Sequence, residues 1–179
     1  MHNELLNYLK TIAPKAEGVI IDPKDLVFEE NVKMNCFYCG KYGNNWRCPP
    51  NLPDIDYKKM VAEYDYGMFV VYSFDIGSDD DYAAIRTESS LRLHRTLLDL
   101  EKWLWNNNSA NAISFGGGSC KLCKGGCGKE KCNNPYMSRS PIEAIGISVV
   151  KSTKKYGIEI TFPTDKKMVR CGLILWQED

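Results

Sequence analysis

The chain has 179 residues, 23 basic and 23 acidic side chains, and a formal net charge of zero. A chain of this length buries roughly 70% of its unfolded surface, so one domain forms without disulfide staples, and zero net charge argues against nucleic-acid backbone binding as its main activity. No apolar run approaches the roughly 20 residues of a membrane span, and the opening MHNELLNYLKTIAPK lacks the basic start and apolar stretch of a secretory signal. A soluble cytoplasmic protein is expected, with no membrane or nucleic-acid partner.

In chain order, NELLNYLKTI has the apolar spacing of a short helix. GVII (Gly18 to Ile21) reads as a strand stopped by Asp22-Pro23. DLVF is a short extended piece, and PDIDYKKMVAEYD is a helix with acidic residues near its start. Met68 to Phe74 is nearly all apolar, β-branched or aromatic, which predicts a buried strand. The longest helix begins near DDDY, with Asp79 to Asp81 supplying a cap. Its stripe is Tyr82, Ile85, Ser89, Leu93, Leu97, Leu100 and Leu104. NAISF is a short strand that runs into Gly116-Gly117-Gly118. SPIE reads as a capping box, with Ser140 as cap, Pro141 in the first helical position and Glu143 reaching back. SVVKSTKKYG is a helix ending at Gly157, and GIEIT and VRCGLILW are the last strands. The alternation from residue 54 onward predicts an α/β fold. The expected architecture is one domain over 1–179, a sandwich of a small mixed sheet with helices. Two irregular cysteine-rich loops, 36–50 and 116–135, would be insertions at one edge.

Those loops hold seven of the eight cysteines. In a reducing compartment, clustered cysteines are metal ligands more often than disulfides. A secreted disulfide scaffold would be shorter and denser in cysteine. The second loop is Cys120-x2-Cys123-x3-Cys127-x4-Cys132. Four closely spaced thiolates can surround one compact centre, and a [4Fe–4S] cluster takes one thiolate on each of four irons. Gly125, Gly126 and Gly128 allow the tight turns such a loop needs. Zinc is the alternative, but it commonly takes two C-x2–4-C knuckles separated by a longer stretch. The first loop is Cys36-x2-Cys39-x8-Cys48, followed by Pro49-Pro50. Three thiols are in reach of one centre and the fourth ligand is missing locally. Cys171 can complete the set, a non-cysteine side chain or solvent can stand there, or one of the three is structural. Cys171 lies in an apolar strand, where a free cysteine often serves as a small hydrophobe.

Other residues are weighed toward plainer roles. The glycine run 116–118 matches neither phosphate-binding fingerprint, so a close backbone approach beside the cluster is expected. His94, Trp103 and Trp105 read as packing residues. Lys121, Lys124, Lys129 and Lys131 can offset cluster charge, dock an acidic electron donor or simply be solvated. Phe37, Tyr38, Tyr42 and Trp46 are expected to shield the first centre, with a small pocket wall as the other possibility.

The motifs CGKYGNNWRCPP (Cys39 to Pro50, preceded by Cys36) and FGGGSCKLCKGGC, with the later Cys132, Pro135, Arg139 and EAIGI, resemble a prokaryotic family of predicted metal-binding proteins catalogued as a domain of unknown function. One departure is Ser140, which stands between Arg139 and Pro141. The resemblance runs through most of the chain. It implies metal binding at both loops and leaves Cys171 outside the shared motifs. The expected function is iron–sulfur electron transfer with a redox partner protein. One [4Fe–4S] cluster would sit on Cys120, Cys123, Cys127 and Cys132, and a second centre on Cys36, Cys39 and Cys48. An iron–sulfur enzyme with an open, substrate-binding cluster and a zinc-stabilised interaction module are the alternatives.

Overall fold

The computed structural model describes residues 1–78, 80–160 and 166–178. Helix α1 (His2–Ile12) buries Leu5 and Leu9, one turn apart on one face. Strand β1 (Ala16–Ile21) follows. A 3-10 turn over Pro23–Asp25 starts where the Asp22 side chain accepts from the Lys24 N–H at 2.9 Å. Helix α2 (Glu30–Tyr38) leads into the first cysteines, and α3 (Tyr57–Ala62) is capped by Asp56, which accepts from the Lys59 N–H at 3.0 Å. Strand β2 (Tyr66–Asp75) is followed by α4 (Tyr82–Trp105). Asp81 caps α4 by accepting from the Ala83 and Ala84 N–H groups at 3.0 and 3.1 Å. Strand β3 (Ile113–Phe115), helix α5 (Val149–Lys154) and strand β4 (Lys167–Trp176) complete the elements.

Among the described residues the strands form one sheet in the order β1-β2-β4-β3, and every ladder is antiparallel. A parallel pairing occurs as the isolated bridge between Gly116 and Pro141. The β2–β4 register sets Met68 opposite Ile174 and Val71 opposite Cys171. Successive side chains alternate between the faces. Met68, Val70, Ile174 and Trp176 therefore meet α1 and the Leu93, Leu97, Leu100 and Leu104 stripe of α4. Phe69, Val71, Cys171, Leu173 and Leu175 face the other way, toward Val61, Ile142, Ile145 and Ile147. The α/β sandwich with helices on a small sheet is thus as the sequence predicts, but the sheet is antiparallel rather than mixed, because among the described residues no strand-to-strand connection crosses over to pair in parallel.

Four local readings change. Helix α2 is not announced in the sequence, and its last three residues fall in the 36–50 loop expected to be irregular; it carries no buried residue, so it has no apolar stripe. The SPIE segment is a 3-10 turn over Ile142–Ile145 with Pro141 at its N-cap. Ser140 does not cap it, because its carbonyl is taken by the Gly116 N–H at 2.8 Å, and the Gly116 carbonyl accepts in turn from Ile142 at 3.0 Å. Residues 158–160 are not in a strand, although Ile158 and Ile160 pack against the second core; Thr161 lies outside the described residues. So does Asp79 of the expected cap. The second helix of the chain, expected over 53–65, is confined to α3.

Candidate metal centre

The first cysteine segment begins on regular structure. Cys36 is in the last turn of α2 and Cys39 is its C-cap residue. From there the chain closes on itself in short turns: Tyr42 N–H to Cys39 carbonyl at 3.0 Å, Gly43 to Pro49 at 2.9 Å, and Cys48 to Asn45 at 3.0 Å. The Asn45 side chain caps this fold by accepting from the Arg47 N–H at 2.9 Å.

The second segment has almost no ladder or helix of its own between Gly116 and Pro141, and side chains hold it. Asn45 Nδ2 donates to the Cys120 carbonyl at 3.1 Å, and Trp46 Nε1 donates to the Gly128 carbonyl at 2.7 Å. Arg47 donates to Ser138 Oγ at 2.5 Å and to the Pro135 carbonyl at 2.8 Å. Three consecutive residues of the first loop therefore tie down the second at both ends and the middle. From the other side, α4 contributes two anchors. His94 Nε2 donates to the Met137 carbonyl at 2.7 Å. Arg139 makes a two-pronged ion pair with the buried Glu101, its Nε to Oε1 at 2.8 Å and its Nη2 to Oε2. Glu101 Oε1 also accepts from the Ser114 N–H of β3 at 2.6 Å, so one carboxylate joins helix, strand and loop.

This frame brings Cys120, Cys123, Cys127 and Cys132 to the wall of a single cavity of about 600 Å³. Asn134 Nδ2 donates to Cys123 Sγ at 3.0 Å, and Cys132 Sγ lies 3.4 Å from Ser138 Oγ. Lys41, Arg95, Lys121 and Lys124 line the same cavity. Gly128 is required by the turn: a Cβ there would sit 2.2 Å from the Lys131 carbonyl oxygen. The glycine run has a different use from the one expected. A Cβ on Gly117 would meet the Cys171 carbonyl oxygen at 2.7 Å, so its close approach is to strand β4.

The first-loop cysteines are placed differently. Cys36 and Cys39 line a second cavity of about 690 Å³ together with Glu143, Arg86, Arg170 and Cys171. Cys48 is buried and lines neither cavity. Its thiol lies within electrostatic reach of Cys36 and Cys39 of its own segment and of Cys120 and Cys127 of the other. Burial, followed by these four neighbours, pushes the Cys48 thiol up to about 12. Burial also raises Cys36, with Glu143 and then Cys39 adding to it, and raises Cys120, where the Leu122 N–H offsets part of the effect. Cys171 is pushed up chiefly by burial. Buried thiols of this kind stay protonated on their own, and a bound cation is what makes thiolates stable there. Lys121 is pulled down by burial and by Arg86, Arg170 and Lys41 around it.

Among the described residues, no three His, Cys, Asp or Glu side chains are gathered on one point as a single metal ion requires. The donor chemistry suits a metal centre: four thiols around one cavity, and one enclosed carboxylate beside two more. The aromatic residues have other tasks than shielding. Phe37 and Tyr38 are exposed, with Phe37 edge-on to both Tyr38 and Tyr42 at centroid distances of 5.4 and 5.1 Å. Trp46 is the anchor on Gly128. His94 and Trp103 pack as expected, Trp103 stacked on Tyr8, whereas Trp105 is half-exposed and donates its indole N–H to the Ala112 carbonyl.

Sequence reasoning missed Asn45, Trp46 and Arg47 as the tether, and it read Glu143 as a helix cap. The signals were present: an amide, an indole and a guanidinium in a row before Cys48, and one acid inside the apolar run PIEAIGI.

The chain belongs to the family described as predicted metal-binding protein (DUF2284), whose model matches residues 19–176. The match spans both cysteine segments and all four strands except the first residues of β1. Compared with curated proteins and with solved structures, the chain has no match. No helix among the described residues is long and apolar enough to cross a membrane.

Proposed function

We propose that this metal-binding protein is an iron–sulfur protein that transfers electrons to or from a partner protein. The dense loop would hold a [4Fe–4S] cluster through Cys120, Cys123, Cys127 and Cys132, and the first segment a second centre through Cys36, Cys39 and Cys48. The observation that carries the reading is the lining of one cavity by all four dense-loop thiols. Thiols distributed around a cavity suit a cluster with several irons better than one zinc, whose ligands would sit about 2.3 Å from a common point. A bound cluster supplies reversible one-electron chemistry. The chain's own residues hold and tune it. Asn134 donates toward Cys123, which stabilises the thiolate and shapes the potential. Lys121 and Lys124 offset negative charge at the cavity wall. Cys48 is within electrostatic reach of thiols of both segments, which supports two centres close enough to relay electrons.

The second reading is an enzyme whose first centre has an exchangeable position. It is favoured by the cavity at Cys36 and Cys39, which has room for a small molecule. The deciding experiment for the dense loop is iron and sulfide analysis of anaerobically purified protein beside Cys123→Ser. The variant should lose about four irons and four sulfides per chain, because a cubane needs each thiolate corner. Full retention in the variant, or zinc in place of iron in the parent, would sink the assignment.

A further inference from the structure

The first segment leaves one question open: three thiols are at hand and a fourth donor is not. We infer that the Glu143 carboxylate is the fourth ligand of the centre at Cys36, Cys39 and Cys48, and that Cys171 is not a ligand. The inference rests on the reading of that segment as a metal site.

Four observations carry it. Glu143 sits in the 3-10 turn between the buried Ile142 and Ala144, so its backbone is fixed by the core beneath it. The turn is stitched to α2: the Glu29 N–H donates to the Gly146 carbonyl at 2.9 Å, and Cys36 Sγ lies 3.9 Å from the Glu143 carbonyl oxygen, a weak S–H contact. Its side chain lines the same cavity as Cys36 and Cys39. The carboxylate takes backbone N–H bonds from Gly118 and from its own residue, yet its Oε2 is fully enclosed and has no hydrogen-bond partner among the described residues.

A buried carboxylate oxygen without a partner is costly, and such groups are found paired or on metals. The Arg170 guanidinium lines the same cavity, but its hydrogen bonds go to Ser89 Oγ at 3.0 Å and the Arg86 carbonyl at 3.2 Å. Arg170 stays within electrostatic reach of Glu143, and no ion pair joins the two among the described residues. A cation held by the neighbouring thiolates would supply the missing partner.

Cys171 is the competing donor. It also lines the cavity, but its Sγ is turned to the Gly172 carbonyl at 3.7 Å, and it packs with Phe115 and Leu173 in the core. The backbone of Gly117 packs against its carbonyl side, where an added Cβ would lie 2.7 Å from the Cys171 carbonyl oxygen. Cys171 therefore acts as a small core residue, while Glu143 and Cys36 line the cavity beside it.

The chemical consequence is an asymmetric centre. A carboxylate oxygen is a harder donor than a thiolate and suits harder, more readily exchanged metal positions. The metal atom facing Glu143 is then the point where a small oxygen- or nitrogen-donor molecule would enter, and the cavity of about 690 Å³ is the space it would occupy.

The test uses the full chain purified anaerobically, with metal analysis, EPR and Mössbauer spectra of the parent and of Glu143→Gln, Glu143→Cys and Cys171→Ser. Expected are two resolved centres in the parent. Glu143→Gln should shift or abolish only the signal of the first centre, and Glu143→Cys should restore it with the spectrum of an all-thiolate site. Cys171→Ser should leave both signals unchanged. Because glutamine has the shape of glutamate, thermal unfolding should show both folded; if Glu143→Gln does not fold, Glu143→Cys carries the test. Parent-like spectra in both Glu143 variants would overturn the inference and leave the metal reading intact. A first-centre shift in Cys171→Ser would overturn it in favour of the thiol. A parent that holds only the dense-loop centre would overturn the metal reading of the first segment and this inference with it.

Discussion

On one face of the sheet, Leu5 and Leu9 of α1 and four leucines of α4 close over Met68, Val70, Ile174 and Trp176 in an unbroken apolar layer. Around the cysteines the chain is held by polar bonds instead: Asn45, Trp46 and Arg47 from the first segment, and His94 and Glu101 from α4. The difference follows from what each region must do. The apolar layer gains from burial alone and tolerates no gap. A loop that is to enclose a metal centre, as proposed for this one, cannot fill its interior with side chains. Its backbone groups also lack a ladder, so each must be satisfied singly. Specific hydrogen bonds then fix the position of the loop, while the sheet and α4 supply the stability. This contrast predicts that the two regions fail separately.

The largest separation is expected at Glu101. Replacing it with Gln leaves Arg139 partly buried without its counter-charge, a change that costs about 3–5 kcal/mol and lowers the melting temperature by roughly 6–20 °C for a chain of this size. Leu97→Ala, in the apolar layer, should cost a comparable amount, about 2–5 kcal/mol. The two variants should differ in where the damage falls. Hydrogen exchange in Glu101→Gln should rise first over the stretch from Gly116 to Pro141, and in Leu97→Ala first over the sheet. Equal, uniform acceleration in both would show that loop and layer unfold as one unit.

A smaller effect is expected at Trp46, which sharpens the question of whether the two cysteine segments are one construction. Trp46→Phe keeps the aromatic body and removes the indole N–H that donates to Gly128 at 2.7 Å. The loss of one such bond is worth about 1 kcal/mol, which should barely move the melting temperature. Loss of metal to a chelator should nonetheless become several-fold faster, because about 1 kcal/mol changes an opening equilibrium by roughly fivefold. An unchanged chelation rate would mean that the dense loop does not depend on the first segment.

The same contrast explains what was legible in the sequence. The α4 stripe writes itself as periodicity, since one face of it is apolar, and β2 and β4 write themselves as near-continuous apolar runs, since both their faces are covered; Asp81 marks the start of α4 as a cap should. The four dense-loop thiols are legible from spacing because short gaps force them around one space. What periodicity cannot carry is a tie between segments far apart in sequence. Asn45 to Cys120 spans 75 residues and Trp46 to Gly128 spans 82. Helix α2 escaped for a related reason: its stability comes from contacts with the turn at Ile142–Ile145, and no face of it is buried. The capping-box pattern at Ser140 misled because a bridge to Gly116 had first claim on the same backbone carbonyl.

The finest test of the polar anchoring is its dependence on pH, through His94. This imidazole is buried, and its Nε2 must carry the proton it donates to the Met137 carbonyl. Burial lowers its pKa below the ordinary 6.5 and nearby Arg139 lowers it further, while the Met137 carbonyl and Glu101 partly oppose them. The unfolded chain therefore takes up a proton at a higher pH than the folded one. By linkage, the stabilising contribution is fully present above about 6.5 and is lost progressively as the pH falls below it. Urea midpoints should fall between pH 7.5 and 5.5 in the parent, and the part of that slope due to His94 should vanish in His94→Gln, which retains a donor toward Met137. Carboxylates, including the buried Glu143 that burial pushes up, are the same in both proteins, so the difference between the two slopes isolates the imidazole. Identical slopes would mean that the α4 anchor at Met137 is indifferent to protonation, and would leave the Glu101–Arg139 pair as the anchor that matters on that side of the loop.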